Sequence, residues 1–512
     1  MVEIVLGNNY SKLFGDLPPY AIERIRAVLS FEKKGCEYIE SFQEEKWDGR
    51  IYLFSIGEQF LTGLLAPLCA VLDDCKVEYV VLDRRQATFE NFKELVFSRP
   101  SWYENREYQQ FTVQRAIDRT RGILNIGTGG GKTDIVAEII GRLKVKPFIF
   151  YVLTKDLLYQ AKDVLSNWLN CPIGQVGDQT IDVKDITVCT KDAVLYALNR
   201  NNKSFDIKNY RFDSCDIFDE KEIFGESDSE KIVDMVKNAR GLYVDESHHA
   251  SAQTLRDIVL ASPNAYWRYG GTATYMREDG EEIVIQGLFG KRIVDISLSY
   301  LIKNKWLVPA SVFFVPITIS NMVYKSYPQI YKYCVIDNDS ISKQIAELVR
   351  YLSKMGKNNL ILVSKIAHGR NIKKFLPEAT FLTGHDSGKK RKKAIDSMRS
   401  GKLKVLIATT LADEGLDIKN LDVIHMAGAG ASITRVPQRI GRVVRKSPGK
   451  KYGMAIYYHY CAEHLYQHGL KVKRLVKDEP ELEVIQAGDM IDLRSKILKY
   501  MQEKESLFSV VG

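Results

Sequence analysis

A glycine-rich segment ending in lysine and threonine is the first pattern in the sequence with clear chemical potential. The residues GTGGGKT, at Gly127–Thr133, follow the apolar run Ile123–Ile126 and precede a helical pattern. Glycines let backbone N–H groups close around phosphate oxygens, and a helix N-terminus adds a positive dipole. The order of strand, glycine turn, Lys-Thr and helix therefore predicts a nucleotide-phosphate site. Lys132 would meet the β- and γ-phosphates, and the Thr133 hydroxyl would hold Mg²⁺.

Two adjacent carboxylates follow a second apolar strand, in the segment Leu242–His248. Asp245 is suited to holding Mg²⁺ and Glu246 to polarising an attacking water, as metal-assisted phosphoryl transfer requires. By itself, an Asp-Glu pair after a strand more often lies in a solvated loop without a catalytic role. Because this pair follows the glycine-rich segment by about 110 residues, we interpret it as catalytic.

Short apolar runs alternate with helical patterns twice along the chain, which predicts two consecutive lobes, each a parallel sheet wrapped by helices. The polar segment Asn201–Asn238 is interpreted as an insertion that decorates the first lobe. The predicted strands are Ile123–Ile126, Phe148–Leu153, Ile186–Cys189, Gly241–Val244 and Tyr266–Gly270, then Leu360–Val363, Ala379–Leu382, Val405–Ala408, Val423–Met426 and Met454–Tyr458.

A small mixed domain precedes the two lobes. A helical pattern around Ile22–Leu29 is followed by KWDGRIYLF, in which Asp48-Gly49 is predicted to turn a β-hairpin. Pro100 marks the predicted boundary. The expected organisation is an N-terminal substrate-orienting domain, a nucleotide-binding lobe, a second lobe and a helical extension, over residues 1–100, 101–295, 296–475 and 476–512.

Charge is unevenly distributed along the chain. Residues 1–100 contain 12 Lys and Arg against 16 Asp and Glu, a balance of −4, so the net charge of +9 leaves +13 for the other 412 residues. A basic body suits a phosphate-rich partner. No apolar stretch reaches the ~18 residues that span a bilayer, and no secretion signal is visible, so we expect a cytoplasmic protein without a membrane partner. The basic run Lys389–Lys393 fits a nucleic-acid contact and a solvated helix start equally well.

In type and order these motifs resemble those of superfamily 2 helicases, in the branch with an Asp-Glu-x-His sequence, here DESH. The resemblance covers about residues 105–445. Phe42, Trp47–Arg50 and His468-Gly469 extend it to phage helicases that remodel branched DNA. The resemblance implies an α/β fold of two tandem RecA-like lobes with a small α+β N-terminal domain, and ATP and Mg²⁺ as cofactors.

The resemblance also implies roles for individual residues. Those that would bind ATP and Mg²⁺ are Tyr108, Gln109, Thr128, Gly129, Gly130, Gly131, Lys132, Thr133, Asp245, Gly415 and Asp417. Those that would contact the nucleic-acid strand are Thr154, Gln160, Thr190, Thr383, Gly384, Arg391 and Thr409. Those that would catalyse hydrolysis or couple the lobes are Lys132, Asp245, Glu246, Gln438, Arg442 and Arg445.

Arg442 and Arg445 are three residues apart, so we predict that they lie one helical turn apart and can both point into a cleft between the lobes. An arginine supplied in this way stabilises the charge of the transition state. Arg439 is the weaker candidate because it would face another side of the helix.

Three functions are consistent with the sequence. The main one is an ATP-dependent DNA helicase or translocase, monomeric, that unwinds or branch-migrates forked and recombination-intermediate DNA, with single strands and RNA–DNA hybrids as further substrates. The second keeps the motor but makes it an RNA helicase, an R-loop-unwinding motor or the translocating subunit of a restriction-type complex. The third is a clamp that binds ATP without hydrolysing it, which the joint presence of Lys132, Glu246 and Arg445 disfavours.

Overall fold

The computed structural model describes most of the chain in two compact units. Residues 1–126 and 131–295 form the first unit, and residues 127–130 and 296–512 form the second. Among the described residues, none of the helices has the length and apolarity that crossing a membrane would need. The described residues are 1–85, 92–101, 103–104, 106–201, 225–248, 252–273, 280–318, 326–409, 418–430, 432 and 435–509.

The N-terminal region is a small α+β arrangement. Its strands are β1 (Val2–Leu6), β2 (Tyr10–Phe14), β3 (Ser30–Glu32), β4 (Arg50–Tyr52), β5 (Gln59–Leu61) and β6 (Tyr79–Asp83). Its helices are α1 (Pro19–Val28), α2 (Glu40–Gln43) and α3 (Leu65–Asp74), with short 3₁₀ turns at Cys36–Tyr38 and Thr62–Leu64. One sheet has the order β5-β2-β1-β6, and β3 pairs with β4 alone.

The hairpin predicted within KWDGRIYLF is wrong. Strand β4 pairs antiparallel with β3. The amide of Trp47 bonds instead to Ser41 O at 3.0 Å, which closes the turn after α2. The Trp47 indole donates to Arg50 O at 2.9 Å, and Gly49 has a φ of +77°. The tryptophan therefore belongs to the turn that leads into β4 and not to a strand of its own.

The N-terminal region packs directly on the first lobe. The Asn9 side chain donates to Leu260 O at 2.7 Å, and a Cβ added to Gly63 would come within 2.1 Å of Gln286 O. The Arg85 guanidinium lies 4.9 Å from the centre of the Tyr266 ring. Apolar residues of both parts also belong to one continuous core. The acidic N-terminal region is thus built into the first unit.

The first lobe contains a sheet of order β10-β9-β11-β8-β12-β13-β7-β14. Its strands are β7 (Arg121–Ile126), β8 (Phe148–Val152), β9 (Ile173–Gly177), β10 (Thr180–Asp182), β11 (Ile186–Thr190), β12 (Gly241–Val244), β13 (Trp267–Thr272) and β14 (Arg292–Ile296). Its helices are α4 (Glu107–Arg119), α5 (Lys132–Leu143), α6 (Lys155–Trp168), α7 (Lys191–Asn201), α8 (Glu226–Asn238), α9 (Ala252–Leu260) and α10 (Glu282–Phe289). The central pairs β9-β11-β8-β12-β13-β7 are parallel.

The prediction of a decorating insertion at 201–238 is wrong for its second half. Helix α8 buries Ile232 and Val236 completely in the core of the first lobe. Apolar residues spaced three to four apart give one buried helical face even where the overall composition is polar. Residues 202–224 of the segment lie outside the described residues.

The second lobe contains a fully parallel sheet of order β17-β18-β16-β19-β20-β15-β21. Its strands are β15 (Ala310–Ile317), β16 (Asn359–Val363), β17 (Thr380–Leu382), β18 (Val405–Thr409), β19 (Val423–Met426), β20 (Gly453–Tyr460) and β21 (Leu482–Gln486). Its helices are α11 (Leu298–Lys303), α12 (Tyr327–Tyr331) with a π-helical turn at Lys332–Ile336, α13 (Asp339–Lys354), α14 (Ile366–Phe375), α15 (Gly388–Arg399), α16 (Arg435–Val443), α17 (Glu463–Lys477) and α18 (Met490–Ser509).

The C-terminal segment is more than the helical extension expected for 476–512. It contributes β21, which pairs in parallel with β15, and α18 follows. Strand β15 was absent from the predicted strands although it lies between β20 and β21. Two parallel-sheet lobes and a small α+β N-terminal region nevertheless confirm the predicted fold class.

Candidate functional site

The glycine-rich segment forms a tight loop between β7 and α5. Gly129 and Gly131 have φ angles of +87° and +76°, a region that side chains with a Cβ rarely adopt. A Cβ on Gly131 would also come within 2.5 Å of Gln109 Nε2. Gly131 is the N-cap of α5 and no side chain caps the helix. This combination of glycines and a helix N-terminus without a side-chain cap fits a bound phosphate group.

Lys132 is paired with Glu246, the predicted catalytic glutamate. Its Nζ lies 3.1 Å from Glu246 Oε1, and the two side chains are only 11% and 20% exposed. The strands β12, β13 and β7 are neighbours in the sheet, so the segments that follow them meet at one edge. Glu246 has a φ of +45°, a strained conformation that clusters at functional sites.

Asp245 is buried beside this pair. Burial and the neighbouring charge of Glu246 raise the pKa of the Asp245 carboxyl to about 6, against the opposing effect of Lys132. The Tyr243 hydroxyl donates to Asp245 Oδ1 at 3.0 Å. A buried carboxylate whose charge is disfavoured gains from a cation, and Mg²⁺ is typically held by one or two carboxylates together with substrate phosphates. Asp245 therefore fits Mg²⁺ bound together with a nucleotide, and the Thr133 hydroxyl stays its predicted second ligand.

Tyr243 is a site residue that the sequence analysis missed. It lies on β12 two residues before Asp245, and residues two apart on a strand share a face. A Cβ on Gly271 of the neighbouring strand β13 would come within 1.9 Å of the Tyr243 hydroxyl. The absence of a side chain at Gly271 therefore leaves room for the tyrosine. The alternation of side-chain direction along β12 could have indicated that Tyr243 lies on the same face as Asp245.

His248 connects the acidic pair to the end of β13. Its Nδ1 lies 2.7 Å from Thr272 Oγ1 and 3.5 Å from Glu246 Oε2. The amide of Ser247 also bonds to Gly271 O at 2.9 Å. The three segments that follow β7, β12 and β13 are thereby linked through side chains.

Tyr108 and Gln109, two of the predicted ATP-binding residues, are on α4 and buried. The Tyr103 hydroxyl and Gln109 Oε1 are 2.6 Å apart, and Arg106 donates to the Tyr108 hydroxyl at 3.2 Å. Gln109 approaches the glycine loop at Gly131, as described above. Tyr103 was not predicted, because nothing in the sequence indicated that it would contact Gln109.

The predicted strand-contact residues of the first lobe occupy the ends of two neighbouring strands. Thr154 follows β8, and its hydroxyl accepts the Leu157 amide at 3.4 Å as the cap of α6. Thr190 ends β11, and its hydroxyl is buried without a hydrogen bond among the described residues. Gln160 is half-buried on α6. Thr190 thus has an unused hydroxyl, whereas Thr154 already has a structural role.

The corresponding residues of the second lobe form a loop network after β17. Asp386 Oδ2 accepts the Thr383 amide at 2.7 Å and its hydroxyl at 3.1 Å. Arg391 donates to Gly384 O at 2.6 Å. Asp386 was not predicted. Thr409, at the end of β18, has a buried hydroxyl without a hydrogen bond among the described residues.

The prediction that Arg442 and Arg445 lie one turn apart on the same helix is wrong. Helix α16 carries Gln438 and Arg442 but ends at Val443. The Val444 carbonyl accepts the Val308 amide at 2.8 Å, and this contact sets the path of the chain just before Arg445. Gly415 and Asp417, predicted to bind nucleotide, lie outside the described residues.

Arg439 is buried within the second unit. Its positive charge acts to lower the pKa of Tyr331 and Tyr457, although burial raises both. The guanidinium therefore lies near these two tyrosines inside the lobe.

Two family models match the chain. Residues 103–277 match "Type III restriction enzyme, res subunit", and residues 340–447 match "Helicase conserved C-terminal domain". The first match includes the glycine loop and the acidic pair, and the second includes α15 and the arginines Arg442 and Arg445.

Relatives with curated names include two viral proteins. "Putative helicase 22" of the Sulfolobus islandicus filamentous virus is 32% identical over 274 residues, which cover 49% of this chain and 47% of that protein. The chain therefore spans about half the length of that relative. The "ATP-dependent DNA helicase uvsW" of Enterobacteria phage T4 is 20% identical over 86% of this chain and 88% of the relative.

The fold is shared with a solved helicase structure. Dbp5 of S. cerevisiae, bound to RNA and ADP BeF3, aligns with a TM-score of 0.54 and 15% identity over 79% of this chain and 94% of Dbp5. This likeness confirms two tandem RecA-like lobes. The two family matches and the relatives named as helicases, with the motifs joined at the edge of the first sheet, show that the chain is a superfamily 2 helicase, a nucleic-acid-dependent ATPase, related to UvsW of phage T4.

Proposed function

We propose that the chain is an ATP-driven DNA translocase that unwinds or branch-migrates forked and recombination-intermediate DNA during phage replication, recombination or repair. The observation that carries the ATPase part is the contact of Lys132 Nζ with Glu246 Oε1 at 3.1 Å, beside the buried Asp245. It brings a phosphate-binding cation and two carboxylates to one edge of the sheet, as phosphoryl transfer requires. Such a motor would work in the host cytoplasm.

The pairing of Lys132 with Glu246 suggests how substrate binding prepares the site. The β- and γ-phosphates of ATP offer Lys132 a stronger anionic partner than one carboxylate. Glu246, released from the lysine, then accepts a proton from the attacking water, while His248 stays close enough to restrain it. Mg²⁺, held by Asp245 and Thr133, would neutralise charge on the phosphates. Binding of ATP and activation of Glu246 are therefore one event in this proposal.

Movement requires the second unit to sense the nucleotide. We assign this role to Gln438, Arg442 and Arg445, because an arginine directed at the transferred phosphate stabilises the charge of the transition state. Closure with ATP and release after hydrolysis would shift the grip on the strand.

The buried hydroxyls of Thr190 and Thr409, without hydrogen bonds among the described residues, suit phosphate oxygens of the strand. Contacts of this kind position the backbone and read no bases, so the motor should tolerate many sequences.

DNA is favoured as the substrate because the relative of similar length is named an ATP-dependent DNA helicase. The N-terminal region is the best candidate for orienting branched substrates, since it is fixed to the first lobe. Two of its arginines already have partners, because Arg50 donates to Ser30 Oγ and Arg85 is paired with Asp83. Arg84 remains exposed.

The proposal is tested by ATP hydrolysis with single-stranded, duplex, forked and four-way DNA and with RNA of matched length, all at one salt concentration. We expect stimulation by DNA, together with ATP-dependent remodelling of forks and four-way junctions. Stimulation by RNA alone would favour the RNA-helicase alternative. Nucleotide binding without turnover on any of these substrates would favour the clamp.

A further inference from the structure

Helix α15 begins with positive charge where a helix is normally stabilised by negative charge. Its first turn has no acidic residue and contains Lys389, Lys390 and Arg391. Cations at a helix N-terminus oppose the helix dipole. The first turns of α4, α5, α6, α8 and α13 contain an acidic residue, whereas those of α1, α3, α11 and α14 contain none. The stability of α15 itself therefore does not explain the basic run.

The five basic residues of this run divide into two groups. Lys390 forms an ion pair with Asp386, and Arg391 donates to Gly384 O at 2.6 Å, so both hold the loop after β17. Lys389, Lys392 and Lys393 are exposed and have no ion pair or hydrogen bond within the described part of the chain. Residues three and four apart on a helix lie on one side. Like charges placed there repel one another unless an anion is bound.

These three lysines border an open depression of about 510 Å³, to which Lys402 contributes a fourth ammonium group. Two serines and Asp396 complete its lining. Asp396 also lies 3.6 Å from Arg399, which offsets its negative charge. The surface formed by Lys389, Lys392, Lys393 and Lys402 is called the lysine face below.

We propose that the lysine face binds the phosphate backbone of a duplex arm of the DNA substrate, a proposal that rests on the function proposed above. Lysines act as flexible point charges, which suits contact with a backbone of any sequence. The two serine hydroxyls can donate to the same phosphate oxygens. Sites for single strands add aromatic side chains for base stacking, and the residues that line this depression include no aromatic ring. A duplex, whose bases are already stacked, is therefore the better fit.

The lysine face gives the second unit a contact outside the strand-binding motifs. A motor that holds a single strand through Thr190 and Thr409 would gain a second attachment to the duplex ahead of or behind it. The contact should add affinity for forks and junctions and leave ATP turnover on a single strand unchanged.

The test compares two triple variants of the full chain. The first carries Lys389→Gln, Lys392→Gln and Lys393→Gln. The control carries Lys343→Gln, Lys354→Gln and Lys374→Gln, which remove the same charge from exposed positions on α13 and α14. The affinity of each protein for a fork and for a single strand is measured by fluorescence anisotropy over a series of KCl concentrations, with melting temperatures and single-strand-stimulated ATPase recorded in parallel.

Each phosphate contact contributes about 0.9 to the slope of log K against log salt for duplex DNA. For the fork, we expect the first variant to reduce the magnitude of this slope by about 2 to 3 and the control to leave it nearly unchanged. An unchanged slope, or an equal change in the control, would overturn the proposal, including the case in which the face binds an acidic protein instead. Absence of DNA-stimulated ATPase in the wild type would instead contradict the proposed function.

Discussion

Helices α5 and α15 both carry basic residues in their first turn, and they are built in opposite ways. Helix α5 has Gly131 as its N-cap with no side-chain cap, and its Lys132 is largely buried against Glu246. Helix α15 is capped by Ser387, whose hydroxyl accepts the Lys390 amide at 3.4 Å, and its remaining lysines are exposed. The first arrangement offers backbone N–H groups and one fixed charge to one phosphate group. In the second arrangement, the Ser387 hydroxyl caps an N-terminal amide of the helix, and several mobile lysine charges are available to a polyanion.

The largest expected difference between the two helices is the effect that a single substitution has on ATP turnover. Lys132→Ala should abolish ATP turnover, because it removes the ammonium group that lies 3.1 Å from Glu246 and that would stabilise the phosphate charge. Lys389→Ala is the matched change on α15, and it should leave kcat within about twofold because the charges there act additively. Steady-state ATPase with saturating single-stranded DNA measures both. Substantial turnover in Lys132→Ala would mean that α5 does not bind the phosphates.

Arg445 should show the next largest effect. Arg445→Ala should lower kcat by about 10³-fold, the scale found for arginines that reach a transferred phosphate, with a much smaller change in ATP affinity. Arg439→Ala is the comparison, because Arg439 is buried in the second unit and its loss should reduce the melting temperature more than kcat. If both variants lost kcat equally, the assignment of Arg445 as the coupling residue would not hold.

The chemistry of α5 was predictable because each motif is contiguous in the sequence. Strand β7 leads directly into the glycine loop and β12 into Asp245, and the ends of parallel strands share an edge. The register that brings His248 to Thr272 was not predictable, because it depends on how β12 and β13 pair in three dimensions.

The sequence-based predictions that were wrong all concern features that depend on contacts between residues distant in the chain. The end of α16 before Arg445 involves a hydrogen bond from the distant Val308. The second half of the supposed insertion is a helix that only its buried Ile232 and Val236 reveal as part of the core. Strand β21 was missed because its parallel partner β15 is separated from it by most of the second lobe. Local pattern carries no information about such partners.

The smallest expected effect concerns the stability of the lobe that carries α15. His368 is fully buried with neither ring nitrogen hydrogen-bonded among the described residues, and burial lowers its pKa to about 4. Below the ordinary histidine pKa, His368 is protonated in the unfolded chain but stays neutral in the folded lobe. The free energy of unfolding therefore falls as the pH falls from 6.5 towards 4.

His368→Leu should remove this dependence, so between pH 7.5 and 5.5 the variant should lose about 1.4 kcal/mol less than the wild type. His425, whose pKa burial lowers to about 3, is present in both proteins and contributes equally. Urea denaturation at the two pH values provides the measurement. Identical losses in the two proteins would show that His368 is not held neutral.

The central claim is that Glu246 activates water for a hydrolysis that DNA stimulates, and the most direct measurement is ATP turnover by the wild type and Glu246→Gln with and without single-stranded DNA. The wild type should be stimulated by DNA. Glu246→Gln should bind ATP at least as tightly, because Lys132 loses its competing carboxylate, yet hydrolyse it about 10² to 10⁴ times more slowly. Wild-type turnover in Glu246→Gln, or a wild-type rate indifferent to DNA, would contradict the account.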